Sequence, residues 1–216
     1  TMMAERPKVE RAVEAVCARE GLQAVRVPSA HAGGKWRLRY DSALGEGGNL
    51  ELDLNFMFRV PLWPVAPLDS RPLGTYQATG IPVLDIHELA AGKLAALLAR
   101  SAGRDIFDAH LLLTQGRLEA AKLRLGFVLY GAMHRKDWRE VRAKDVVLDA
   151  GDVGNQLIPV VRGDYPRDAG GQRRWAERIM KDCRRGLKKV LPLAEEEEAF
   201  LDRLLDAELT HREERR

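Results

Sequence analysis

Residues 85–113 read DIHELAAGKLAALLARSAGRDIFDAHLLL, and this stretch decides the fold. Asp85 stands where a helix N-cap belongs, with Glu88 three residues on as its capping-box partner. The body from Leu89 to Arg100 is rich in Ala and Leu, which favour helix. Ser101-Ala-Gly103 ends it, a second helix begins near Arg104 or Asp105, and Gly116 closes that one. Lys93 is the only charge within Ala90–Ala99. A lysine on so apolar a helix either snorkels its ammonium to water or meets an anion such as a phosphate. Asp105 and Asp108 stand three apart and share a helix face. They suit a divalent ion or the positioning of Lys93; equally, acids in a first helical turn simply favour its dipole, with Arg104 a solvated neighbour.

Upstream of this pair the periodicity changes. Residues 5–20 read as an amphipathic helix stopped by Gly21, with Val9, Val13, Val16 and Cys17 on one face. Lys35–Tyr40 and Asn49–Val60 read as strands joined by a turn-rich link, a hairpin. In the second strand Leu50, Leu52, Leu54 and Phe56 face one way and Glu51, Asp53 and Asn55 the other. Asp53 therefore stands on a polar strand side that faces either a cleft, where a metal or general base would sit, or plain solvent. Residues 61–82 hold five prolines and two glycines and read as a surface loop.

Downstream, a third helical pattern covers Leu118–His134, and residues 135–171 give no detailed pattern. Gln172–Leu191 is helical, with Trp175, Ile179, Cys183, Leu187 and Leu191 in an i, i+4 stripe; Glu195–Leu209 is a last helix with an acidic first turn. The order of helix, strands, then helices implies a mixed α/β (α+β) chain with a sheet domain over 1–84 and a helical domain over 85–216.

Composition narrows the function classes. The 216 residues are 45% hydrophobic and 31% charged, which excludes a wholly disordered chain. No apolar run reaches membrane-spanning length, and TMMAERPKVE lacks the greasy core of a secretory signal, so a cytoplasmic protein with no membrane partner is expected. Cys17 and Cys183 have no metal-like spacing and read as reduced thiols. The net charge is only +3, yet Arg162–Lys189 holds ten Lys or Arg against four Asp or Glu. Arg173, Arg174, Arg178, Arg184 and Arg185 lie off the Trp175 stripe and offer a surface for RNA, for an acidic protein partner, or merely for water. Trp138, beside Arg135, Lys136 and Arg139, suits a core anchor better than a base-stacking platform.

In combination these segments point further. LDLNF (52–56), HELAAGKLAALLAR (87–100), RDIFDAHLLL (104–113) and the terminal EEEEAFLDRLL (195–205) together resemble the AbiEii/AbiGii toxin family, nucleotidyltransferases of type IV toxin–antitoxin systems that are similar to the MenT toxins. The resemblance covers most of residues 8–209, and its specific part is K-x-x-A-x-x-x-R (93–100) with R-D-x-x-D (104–108). It implies a polymerase-β-like nucleotidyltransferase sheet with a helical C-terminal part. It implies transfer of a nucleoside monophosphate from an NTP to an RNA, such as tRNA, or a protein acceptor, with Mg2+ as cofactor and a cognate antitoxin as partner. By position, Lys93 would contact the NTP phosphates, Asp105 would be a catalytic acid supported by Arg104, Asp108 and Arg100, and Asp53 would be the third carboxylate and a metal ligand in the same cleft. Phosphoryl transfer relies on positioning and charge neutralisation, for which these residue types are suited. One motif departs from the family. Its members open with a Gly-Gly-Thr/Ser turn and an Asp-x-Asp strand, whereas Gly33-Gly34 here leads into Lys35-Trp-Arg-Leu-Arg-Tyr40. The chain as given is thus expected to lack its main metal ligands and to be inactive alone. The alternative is a non-catalytic relative that binds RNA or a protein.

Overall fold

The computed structural model describes residues 2–27, 34–42, 45, 47–54, 60–134, 136–148, 150–161 and 165–213. The fold is mixed α/β and divides into two compact units, Thr1–Pro61 and Leu62–Arg216. The sequence placed 62–84 with the first domain; in the structure these residues group with the helices that follow.

The first unit is one helix on a three-stranded antiparallel sheet. Helix α1 (Met2–Arg19) ends in a Schellman turn: Gly21, at φ +71°, lets its amide reach Ala18 O while Leu22 N donates to Cys17 O at 2.8 Å. The chain then enters β1 (Gln23–Val27), a strand not anticipated from sequence, because its five residues carry only weak alternation. β1 pairs with β2 (Gly34–Asp41), and β2 with β3 (Gly47–Leu54). The expected hairpin is present, and β3 ends at Leu54; Asn55 and Phe56 lie outside the described residues. Trp36, Leu38 and Cys17 form the core, with Val13, Leu52 and Leu54 packed against it. Leu50 has the same parity and lies directly opposite Leu38, yet it is half exposed. Gly34 is required where it is: a Cβ there would overlap the Trp36 ring.

The second unit opens with an arm. Residues 61–82, read as a surface loop, are largely exposed but carry most of a two-stranded antiparallel sheet, β4 (Ala66–Leu68) and β5 (Ile81–Val83). Proline spacing suggested a loop because a proline cannot donate in a ladder; here Pro67 and Pro82 face each other in a two-stranded ribbon that needs few donors. Helices α2 (Ile86–Arg100), α3 (Gly103–Gln115) and α4 (Ala120–Ala132) follow. A one-turn helix α5 (Ala150–Asp152) runs into a π turn at Val153–Leu157, and α6 (Ala169–Gly186) and α7 (Glu195–Glu213) complete the unit.

Helix α2 is central. Ala90, Ala91, Leu94, Ala95 and Leu97 are all fully buried, so truncating one of its leucines to alanine would cost about 2–5 kcal/mol. Small residues let α4 approach closely: a Cβ on Gly126 would crowd the Ala91 methyl at 2.8 Å. All five residues of the α6 stripe are buried, with Trp175 packed against Phe107 and Tyr165. Past Gly186 the helix tightens to a 3-10 turn at Leu187–Lys189.

Asp85 is the N-cap of α2, accepting from His87 N at 2.8 Å. Glu88 is not its capping-box partner. It is buried and turned inward, accepting from Leu62 N and Tyr130 Oη, both at 2.9 Å. The carboxylate fixes the root of the arm to α4 instead of closing the helix end, which the S/T/D-x-x-E pattern could not reveal. His87 completes this anchor, taking Glu119 N at 2.9 Å on Nε2 and meeting Asp85 through Nδ1 at 2.6 Å.

Candidate nucleotide site

The turn between α2 and α3 brings the two halves of the sequence motif together. Lys93 and Arg100 are seven residues apart, two helical turns, and project on one face of α2. The chain reverses at Ser101, a left-handed C-cap (φ 52°, ψ 36°) whose amide donates to Leu97 O at 2.9 Å. α3 then runs back alongside, so Arg100 meets Asp105 and Lys93 meets Asp108 in nested ion pairs.

The two pairs differ in kind. Asp105 is buried and is held by Arg100 in a two-pronged contact, Nε to Oδ2 at 2.5 Å and Nη2 to Oδ1 at 2.7 Å. That hydrogen bond holds the Arg100 guanidinium above its usual pKa. Lys93 Nζ donates to Asp108 Oδ2 at 2.7 Å across the outer edge of the seam, with both side chains substantially exposed. Arg104 is exposed beside them and makes no ion pair among the described residues. The α3 N-terminus lacks a side-chain cap of its own; Asp152 of α5 accepts from Gly103 N. Nothing in the local sequence announces that contact, since the two residues stand 49 apart.

His134 also stands at this corner, and no motif or spacing in the sequence points to it. Its ring stacks on Trp138 with centroids 5.8 Å apart, and burial with the charge of Arg100 lowers its pKa. Trp138 is buried beneath Gly131 and Phe127, a core anchor and not an exposed platform. Arg135 lies outside the described residues.

Asp53 belongs to the first unit and is exposed on β3. The acidic strand side is answered by a basic one: Lys35, directly opposite Asp53, donates to Glu51 Oε2 at 3.0 Å and lies 3.9 Å from Asp53 Oδ2. The hydrogen bond to Glu51 raises the Lys35 pKa. A cross-strand ion ladder accounts for these acids without a ligand.

The nucleotidyltransfer chemistry that the resemblance implies calls for a divalent cation. The residues described here do not fit one. Asp105 gives both oxygens to Arg100, Asp108 holds Lys93, Asp53 faces Lys35, and no group of three or more His, Cys, Asp or Glu converges among the described residues.

The basic face of α6 is smaller than its sequence suggested. Arg184 folds back onto backbone carbonyls, Nη2 to Val146 O at 2.8 Å, and Arg185 pairs with Asp182. Arg173, Arg174 and Arg178 are exposed and make no ion pairs among the described residues. Arg173 lines a cleft of about 540 Å³ together with Leu148, Val153, Gln172, Glu177 and Met180. Cys17 and Cys183 are both free and buried, and no helix among the described residues is long and apolar enough to cross a membrane.

Against this geometry, a family model described as nucleotidyl transferase AbiEii toxin, type IV TA system, matches residues 2–212. No curated protein and no solved structure matches the chain. With nearly its whole length covered, the chain belongs to the AbiEii nucleotidyl transferase toxin family of type IV toxin–antitoxin systems.

Proposed function

We propose that this chain takes part in transferring a nucleoside monophosphate from an NTP to an RNA or protein acceptor, with the α2–α3 seam as its phosphate-binding edge. The observation that carries this reading is the contrast of the two ion pairs. Lys93 is held at the surface by an exposed carboxylate that an incoming phosphate can replace, and Arg104, one turn before Asp108 on α3, is exposed with no ion pair among the described residues. Exposed pairs are worth only about 0–1 kcal/mol, so exchanging Asp108 for a polyanion costs little. The roles follow from position: Lys93 and Arg104 neutralise phosphate charge, Asp108 keeps Lys93 extended while the site is empty, and Arg100 with Asp105 fixes the corner on which both stand. Asp105 is thus proposed as a positioning residue at the site of transfer.

The Mg2+ of the family's chemistry is not assigned to Asp53, Asp105 or Asp108, because each already faces a cation. An antitoxin partner, cytoplasmic location and an RNA acceptor are consistent with the same reading, the acceptor lying along Arg173, Arg174 and Arg178. A second reading is favoured by the engaged carboxylates: a relative that binds RNA or a protein without catalysis.

Labelled NTP, Mg2+ and total RNA or a protein extract separate the two. The 216-residue chain alone is expected to transfer little label; the same chain preceded in frame by a Gly-Gly-Thr/Asp-x-Asp segment is expected to transfer, and to lose at least tenfold with Lys93→Ala. RNA retention with no transfer by either form would favour the binder.

A further inference from the structure

Residues 62–84 form an arm with an unusual distribution of its apolar groups. It has no core of its own: nearly every residue from Pro64 to Pro82 is exposed, and Leu73 and Tyr76 at the tip are each 81% exposed. Yet the arm is closely tied by hydrogen bonds. Leu73 N donates to Tyr76 O at 2.9 Å and Tyr76 N to Leu73 O at 3.1 Å, with Gly74 at φ +61° making the turn between them. Below the tip, Ser70 N donates to Ala78 O, Ala78 N to Ser70 Oγ, and Gly80 N to Asp69 Oδ1. At the root, Glu88 holds Leu62 and Trp63 packs on His87. A loop that only connected two elements would need none of this. A rigid ribbon that holds a leucine and a tyrosine into water is preorganised to insert them elsewhere. Pro67 and Pro82 deprive both strands of donors, so the ribbon is poorly suited to recruiting a further strand and must act through its side chains.

The same unit contains a matching receptor. Between α4 and α7 lies an open groove of about 330 Å³, lined by Leu125, Val128, Leu129 and Phe200 and rimmed by Arg124 and Glu196. Leu125 is half exposed there, and Leu204 further along α7 is also exposed. Arg124 is neutralised by Glu197, with Nε to Oε1 at 2.9 Å. Glu196 on the rim is exposed and carries no ion pair among the described residues, and Glu195 and Glu198 stand exposed in the same first turns of α7, so this end of the groove is acidic. The arm carries one cation near its tip, Arg71, exposed and likewise without an ion pair. Apolar tip to apolar groove and Arg71 to the glutamate rim are complementary in both respects.

We infer that the arm docks in the α4–α7 groove of a second copy of this chain, forming a two-fold dimer. Leu73 and Tyr76 fill the groove and Arg71 meets the glutamate rim. Each copy offers one arm and one groove, so a two-fold arrangement satisfies both contacts at once and leaves neither an arm nor a groove unfilled. RNA is the less suitable occupant, because residues 60–84 carry only Asp69 and Arg71, no net charge with which to attract phosphates.

Sedimentation velocity over a range of concentrations tests this with the full chain. The wild type is expected at twice the 24.2 kDa chain mass. Tyr76→Asp with Leu73→Asp, which alters only exposed side chains, should leave the circular dichroism unchanged and weaken association at least tenfold, as should Leu125→Glu in the groove. Arg71→Glu should weaken it several-fold through repulsion from the rim. Mixing the arm variant with the groove variant leaves one intact arm–groove contact, so the mixture should associate where each alone does not. The inference is overturned by a wild type that stays monomeric at 100-fold above the lowest concentration, by a dimer that persists in both variants, or by a mixture that fails to associate. It is also overturned if Tyr76→Asp abolishes RNA retention while leaving mass unchanged.

Discussion

Two ion pairs on the same pair of helices do different work. Arg100–Asp105 and Lys93–Asp108 each join α2 to α3, and each links a cation to a carboxylate of the R-D-x-x-D segment. Their difference lies in the acid. Asp105 is only 5% exposed at its side chain and has no water to turn to if its arginine leaves; Asp108 is 39% exposed and does. A buried carboxylate with its partner locked is part of the framework. An exposed one is a replaceable partner, and its lysine is free to change hands. Burial, more than residue type, thus divides the motif into a buried half and an exposed half, the latter being the one proposed to meet phosphate.

The sharpest way to break this distinction is to remove the inner cation. Arg100→Ala strands Asp105 without either of its hydrogen bonds, which for a charged group are worth about 1.5–3 kcal/mol. Because Arg100 itself is 67% exposed, the loss should fall near the lower end, about 2 kcal/mol by urea unfolding. A change under about 0.5 kcal/mol would place Asp105 among the replaceable acids.

A smaller effect comes from the histidines. Burial, countered by Asp182, lowers the pKa of His110, and burial with Arg100 lowers that of His134, below the ordinary 6.5. The unfolded chain then binds protons that the folded chain refuses, so stability falls as pH drops below about 6.5. Unfolding titrations between pH 7 and 5 should show this decline, and His134→Gln should reduce its slope. Smallest of all, Asp53→Asn should change stability by less than about 0.5 kcal/mol, since its pair with Lys35 is exposed and longer than the Lys35–Glu51 contact. A steep loss of nucleotide binding in that variant would return Asp53 to the site.

What the sequence made legible was whatever a local period or cap carries. The α2–α3 hairpin, the β2–β3 hairpin and the α6 stripe follow from 3.6- and 2-residue periods, and Asp85 from capping chemistry. The misses have a common cause in contacts across the chain. Glu88 looked like a cap and instead anchors residue 62 and Tyr130. Arg184 looked like a free cation and instead holds the backbone at Val146. Asp105 looked like an acid in a first turn, and only the fold shows its burial. Within the candidate site, residue types were readable, whereas which of them remain free to meet a ligand was decided by packing.

The central claim is that Lys93 serves the ligand while Arg100–Asp105 serves the fold. Calorimetric titration of each NTP with Mg2+ into the parent chain and into Lys93→Ala tests it directly, alongside their unfolding midpoints. Alanine has the highest helix propensity and the lost pair is exposed, so the midpoints should coincide while nucleotide affinity falls at least tenfold. Equal affinity in parent and variant, or a variant that binds weakly only because it is less stable, would contradict the account.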